Sequence, residues 1–215
     1  MAYYCLSRPI VGIKQNIKVE SVQEEQQRFK KCYQNIVLEK GAEKVFYIDQ
    51  IGFNVCLRSK SFTGELANST LVRLTSGVRF KNRIFCLAIN KTGHIYYKFQ
   101  SIVYNADTFY NFMESFIEWI AEKKLTDCMF ILNNVQFQHN SNIVQLVKDN
   151  GHSMECVPFS ADFSPVEILF NNWQTNIRMA KPNNFDELDK LMIHELNSIT
   201  CENCDTFFSN VFTRV

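Results

Sequence analysis

A run of five apolar residues, Cys128 to Leu132, stops abruptly at two amides, Asn133 and Asn134. So short a run, bounded by polar residues, reads as a buried strand delivering its last residues to the edge of a sheet. Such a strand needs cover on both faces, which the rest of the chain must supply as helices. Ligand sites on α/β sheets gather at carboxyl ends of this kind. A metal site would call for an acid there, and this strand ends in Asn133 instead.

The rest of the chain alternates in the required way. Ser21-Val-Gln-Glu24 reads as a capping box, with Val22, Phe29, Tyr33, Ile36 and Val37 on one helical face and Gly41 as the stop. Val45 to Ile48 reads as a strand with Asp49 at its end. Residues 55–82 are polar and basic and read as a connection. "RIFCLAIN" and "HIYYKFQSIVY", joined by "KTG", read as a hairpin. Asp107 is placed to cap a helix running to about Lys123, with Phe109, Phe112, Phe116, Ile117 and Ile120 as its apolar stripe. That spacing makes these aromatics core rather than a stacking platform for bases. A helix from Ser141 to Gly151, a short strand over 154–157, a helix opened by Ser164-Pro165-Val166-Glu167 and a last amphipathic helix over 185–198 complete the order. The expected fold is α/β, a mixed five-stranded sheet with helices on both faces. Residues 1–40 read as an arm and linker helix, and 41–215 as one domain.

Composition narrows the partners. A hydrophobic fraction of 46% with 19 Phe argues against disorder. A formal net charge of +1 gives no global basic signature, so nucleic-acid binding would need a local patch. Arg58, Arg73, Arg79, Lys81 and Arg83 are the candidates for phosphate contacts, although charged loops are commonly just solvated. The N-terminus lacks the apolar core of a signal peptide, and no run is long enough to span a membrane. An intracellular protein with reduced thiols is expected. Cys201 and Cys204 form C-x-x-C with His194 upstream, but zinc sites normally use a second pair, and none exists here. They read as ordinary thiols.

Three positions stand out as possible cation ligands. Asp49 ends the first strand, Asn133 ends the fourth, and Glu167 opens the helix after the fifth. If strands one and four are parallel neighbours, Asp49 and Asn133 share one edge, and Glu167 can be brought over it. Hard cations bridging a phosphate take oxygen ligands from separate elements in this way. Each position also has a simpler reading: Asp49 as a turn former, Glu167 as a helix-start carboxylate, and Asn133-Asn134 as a turn. Asp127 is too far to stand in for Asn133, about 20 Å away along an extended strand.

Four stretches in order resemble the catalytic domain of mariner-superfamily DDE transposases: "VFYIDQIGFN", "YNADTFYNFMESFIEWI", "FILNNVQFQHNSNIVQLV" and "CVPFSADFSPVEILFNNWQTNIR". The likeness runs from about residue 20 to the C-terminus, including the closing "DTFFSNVF". It implies an RNase H-like fold, with cleavage and strand transfer of DNA by two-metal phosphoryl transfer using Mg2+ or Mn2+. It implies that Asp49 and Glu167 are the first and third metal-binding acids. Asn133 falls where the second Asp belongs, and Asn134 on the Asn that follows it. Gln50 replaces a frequent Glu, Ser164 replaces an Asn, and His139 lies one place beyond the usual His, whose own position holds Gln138.

The departures carry the functional expectation. An amide at 133 keeps one carbonyl oxygen for a cation but brings no charge, so two acids supply −2 where three supply −3. Charge-assisted contacts are about twice as strong as neutral ones, so catalysis should be crippled while cation or DNA binding survives. Transposases of this kind carry helix-turn-helix units ahead of the catalytic domain, and only an arm and one helix precede Asp49 here. The partners implied are DNA and a second copy on DNA, with no membrane. The alternatives are a non-catalytic nucleic-acid or protein binding module, or a relic.

Overall fold

Strand β1 (Val45–Arg58) organises the sheet because it pairs along both edges. On one side it runs antiparallel to β2 (Val78–Asn90), which pairs antiparallel with β3 (Ile95–Gln100). On the other side it runs parallel to β4 (Met129–Asn133), which runs parallel to β5 (Ser153–Val157). The spatial order is β3-β2-β1-β4-β5, the mixed five-stranded sheet expected from the sequence. The computed structural model describes residues 19–58, 78–101, 104–133, 140–157, 164–180, 182 and 184–213.

The helices are α1 (Val19–Lys40), α2 (Ala106–Glu122), α3 (Ser141–Asp149), α4 (Pro165–Ala180), α5 (Phe185–Asn197) and α6 (Cys201–Thr213). Successive strand residues face opposite sides, and β1 divides its apolar residues accordingly. Val45 and Tyr47 enter a core with Tyr33 of α1, Leu169 and Trp173 of α4, Leu188 of α5 and Phe208 of α6. Phe46 and Ile48 enter a second core with Phe109, Phe112 and Phe116 of α2 and Ile143 of α3. The sheet is therefore covered on both faces, and the α2 aromatics are core residues as expected. Tyr33 anchors α1 to the sheet, its ring 6.1 Å from that of Tyr47 and 6.2 Å from that of Phe208.

Several boundaries differ from the expectation. β1 does not stop at Ile48 but continues to Arg58, because β2 begins at Val78 and supplies a ladder partner at every residue as far as Arg58↔Val78. β3 closes at Gln100, earlier than its apolar run suggests. Helix α1 starts at Val19, so Ser21 lies inside it rather than ahead of it. The cap of α2 is Asn105, not Asp107: Asn105 Oδ1 accepts from the Thr108 amide and Thr108 Oγ1 accepts from the Asn105 amide, both at 2.8 Å. This reciprocal pair satisfies two donors that the helix start would leave orphaned. Helix α5 is not the last, since α6 follows and buries Cys204, Phe207, Phe208 and Val211. No helix among the described residues is long and apolar enough to cross a membrane.

Candidate active site

The parallel pairing of β1 with β4 runs from Val45↔Met129 to Ile48↔Leu132. Asp49 and Asn133 each come one residue later, so the register sets their backbones side by side where that pairing ends. Beyond this point, among the described residues, β1 pairs with β2 alone (Asp49↔Leu87), while Asn133 pairs with Val157 of β5. The Asn133 side chain lies outside what the structure describes, as do residues 134–139 with Asn134, Gln138 and His139.

Asp49 follows Val45 and Tyr47 in the alternation and so belongs to the sheet face covered by α4. It is half-buried. Its Oδ1 accepts from the Gln50 amide at 2.7 Å, and the Ser164 hydroxyl donates to its Oδ2 at 3.5 Å. Ser164 is buried and immediately precedes α4. Its carbonyl accepts from the Glu167 amide at 3.1 Å, the first turn of the helix. Pro165 suits the first helical position, where its missing N–H is no loss. Glu167 is the third residue of α4, half-buried, at the end of the helix whose dipole favours a carboxylate. The start of α4 therefore meets the sheet at Asp49, and Glu167 belongs to the helix covering the face that Asp49 occupies. The charge of Asp49 is felt locally: after burial, which is the larger cause, it raises the pKa of the buried Cys86 thiol, and it adds to the elevation of the Tyr47 phenol.

Asp127 lies at the other end of β4, before Met129. There Lys40 Nζ contacts its Oδ1 at 2.5 Å and holds its pKa below the usual carboxylate value. It takes no part in the edge at 49 and 133.

The basic candidates divide. Arg83 is committed within the fold: it is buried, its Nε donates to Asp189 Oδ1 at 2.7 Å, its second guanidinium nitrogen pairs with Oδ2, and Nη1 donates to Ser101 Oγ at 3.2 Å, which argues against a phosphate contact. The guanidinium fork is consumed in tying β2 to α5, which a sequence cannot distinguish from an exposed cation. Arg58, Arg79 and Lys81 are in the β1–β2 ladder, at Arg58↔Val78, Leu57↔Arg79 and Val55↔Lys81, but their side chains lie outside the described residues, as does Arg73 altogether. Cys201 is exposed while Cys204 is buried, with its thiol pushed up to about 11 by desolvation. Among the described residues no three His, Cys, Asp or Glu side chains converge as a metal cluster.

In the sequence Ser164 stands as the opening residue of a helix and as a departure from a motif. Its contact with Asp49 is a tertiary fact; the one local signal was a serine ahead of Pro165 and Glu167.

A mixed sheet of this order, with Asp49 at the edge where its parallel pairing with β4 ends and an acid-bearing helix laid against it, defines an RNase H-like domain. Residues 44–189 match the family described as DDE superfamily endonuclease, and the chain belongs to that family. Solved structures agree on the fold. The catalytic domain of Mos1 mariner transposase superposes with a TM-score of 0.65 at 10% identity, covering 94% of both chains. A Mos1 paired-end complex with the left transposon end gives 0.68 at 16% identity, covering 95% of this chain and 63% of that one. The Mos1 paired-end complex with Mn gives 0.69 at 15% identity, again with 63% of that chain covered. The present chain thus spans less than two thirds of the transposase chains in the two paired-end complexes. Comparison with curated proteins finds no match.

Proposed function

We propose that the chain is a DDE transposase-type domain that engages DNA phosphodiesters at the edge formed by Asp49, Asn133 and Glu167, and that its catalysis is impaired by the amide at 133. The observation that carries this reading is the Ser164–Asp49 contact, which brings the start of the Glu167 helix to the rung where Asp49 neighbours Asn133.

The donor set fits a hard divalent cation, because Asp49 and Glu167 offer carboxylate oxygens from separate elements. Mos1 transposase has been solved with Mg and with Mn, which favours the same ions here. When bound, such a cation supplies Lewis-acid polarisation of a phosphoryl oxygen and neutralises developing charge. The chain's own part is orientation. The Gln50 amide holds one oxygen of Asp49, the Ser164 hydroxyl approaches the other at 3.5 Å, and Glu167 stands in the first turn of α4. Asn133 contributes at most a neutral carbonyl oxygen, so the site holds less charge than one built from three acids. Arg58, Arg73, Arg79 and Lys81 remain the candidate phosphate contacts. DNA in a nuclear setting, engaged by paired copies of the chain, is the partner this reading implies.

A second reading is favoured by the same residue. With Asn133 in place, the domain serves as a DNA-binding module without turnover. Thermal unfolding in a Mn2+ series separates the two. Under the first reading the parent gains a saturable rise in Tm that Asp49→Ala and Glu167→Ala each remove. An undiminished rise in both variants would place any cation elsewhere and overturn the site. Salt-sensitive duplex binding with no rise at all favours the second reading.

A further inference from the structure

Ser164 reaches Asp49 from another element. It is 6% exposed, its hydroxyl is 3.5 Å from Asp49 Oδ2, and its carbonyl holds the Glu167 amide at 3.1 Å. Side chain and main chain of one residue therefore reach both carboxylate-bearing positions. Pro165 constrains the arrangement further, because a residue before proline is pushed away from helical geometry into extended backbone. Ser164 stays outside α4 while remaining tied to its first turn.

We propose that Ser164 is a positioning residue for the cation site: its hydroxyl orients the Asp49 carboxylate toward the first turn of α4, so that Asp49 and Glu167 present their oxygens to one ion. The proposal rests on the site reading above. Partners that orient a ligating carboxylate contribute to affinity without touching the ion, and losing one typically weakens binding about tenfold or more. A hydroxyl suits the role because it donates to a carboxylate without adding charge.

The test is the apparent Mn2+ affinity of the full chain, read from thermal shift, for the parent, Ser164→Ala and Ser164→Thr, with urea midpoints measured without metal. Ser164→Ala should bind Mn2+ about tenfold more weakly, and Ser164→Thr, which keeps the hydroxyl, should recover at least half of that loss on a logarithmic scale. Equal Mn2+ affinity in the parent and Ser164→Ala overturns the proposal. So does a loss in Ser164→Ala that Ser164→Thr leaves unrepaired while both variants match the parent in urea. If the added methyl destabilises Ser164→Thr, a metal-free cycle of Ser164→Ala with Asp49→Asn decides: non-additive urea midpoints uphold the link, and additive ones overturn it. The same cycle decides if the parent binds no Mn2+. In that case the cation reading has failed, non-additivity still upholds orientation of Asp49 by Ser164, and additivity removes that as well.

Discussion

Asp49 on β1 and Asn133 on β4 stand side by side on neighbouring strands, one residue past the last parallel pair, Ile48↔Leu132. That adjacency is set by backbone register and does not depend on what either side chain is. An acid at 133 would therefore stand beside Asp49 as readily as the amide does, and exchange of the one for the other tests chemistry rather than folding.

Arg83 offers a clean separation of stability from DNA binding. Its buried fork to Asp189 leaves a partly buried carboxylate unpaired when removed. Arg83→Ala should lower stability by about 2–3 kcal/mol, since bonds to charged groups are the strong ones and a stranded partner adds desolvation cost. Arg83→Lys should recover little, because a point ammonium cannot reproduce the bidentate geometry. Urea denaturation reads both. The salt slope of DNA binding should be unchanged in Arg83→Ala; a slope shallower by about one would return Arg83 to the phosphate contacts.

Gly93, in the turn between β2 and β3, has φ of +93°, and an added Cβ would lie 2.9 Å from Cys201 Cα. Both the backbone conformation and the approach of α6 require glycine here. Gly93→Ala should cost about 1–3 kcal/mol in urea, with Cys201→Ala giving no relief because the clash is with main chain. A neutral Gly93→Ala would show that the turn and the start of α6 are less tightly apposed.

His152 makes stability depend on pH. Its ring is buried and Nδ1 accepts from the Cys128 amide at 3.1 Å, while desolvation holds its pKa below the ordinary 6.5, against an opposing pull from Asp127. The unfolded chain takes up a proton near 6.5 that the folded chain resists. The contribution of His152 is thus complete above that value and is lost as pH falls from 6.5 towards the lowered folded value. Urea midpoints should drop over that window in the parent and not in His152→Gln. Equal slopes in the two proteins would remove His152 as the cause.

Much of this molecule was legible in the sequence, and the misses share physical causes. The β4 run, the α2 stripe and the α4 stripe were readable because burial demands apolar residues at period two or 3.6. The extension of β1 past Asp49 was not, because Asp49, Gln50 and Gly52 interrupt any apolar pattern and the strand is held there by its ladder to β2. Helix α6 is marked by little more than the spacing of Cys204, Phe207, Phe208 and Val211, a short stripe that alone does not separate a helix from a loop. Asn105 and Asp107 are both good caps, and only the reciprocal bond with Thr108 chooses between them. At the proposed site, Asp49 and Glu167 stand at a strand end and a helix start that the sequence marks, while the proposed role of Ser164 depends on a contact between residues 115 positions apart.

The most direct measurement is nicking of supercoiled DNA with Mn2+ by the parent and by Asn133→Asp, each beside its Asp49→Ala counterpart. If Asn133 impairs the site, the parent should show little or no cleavage and Asn133→Asp a rate about a hundredfold higher, as expected for restoring one charge-stabilising group, abolished again by Asp49→Ala. Robust cleavage by the unaltered chain that disappears in Asp49→Ala would contradict this account, because Asn133 would then be no impairment.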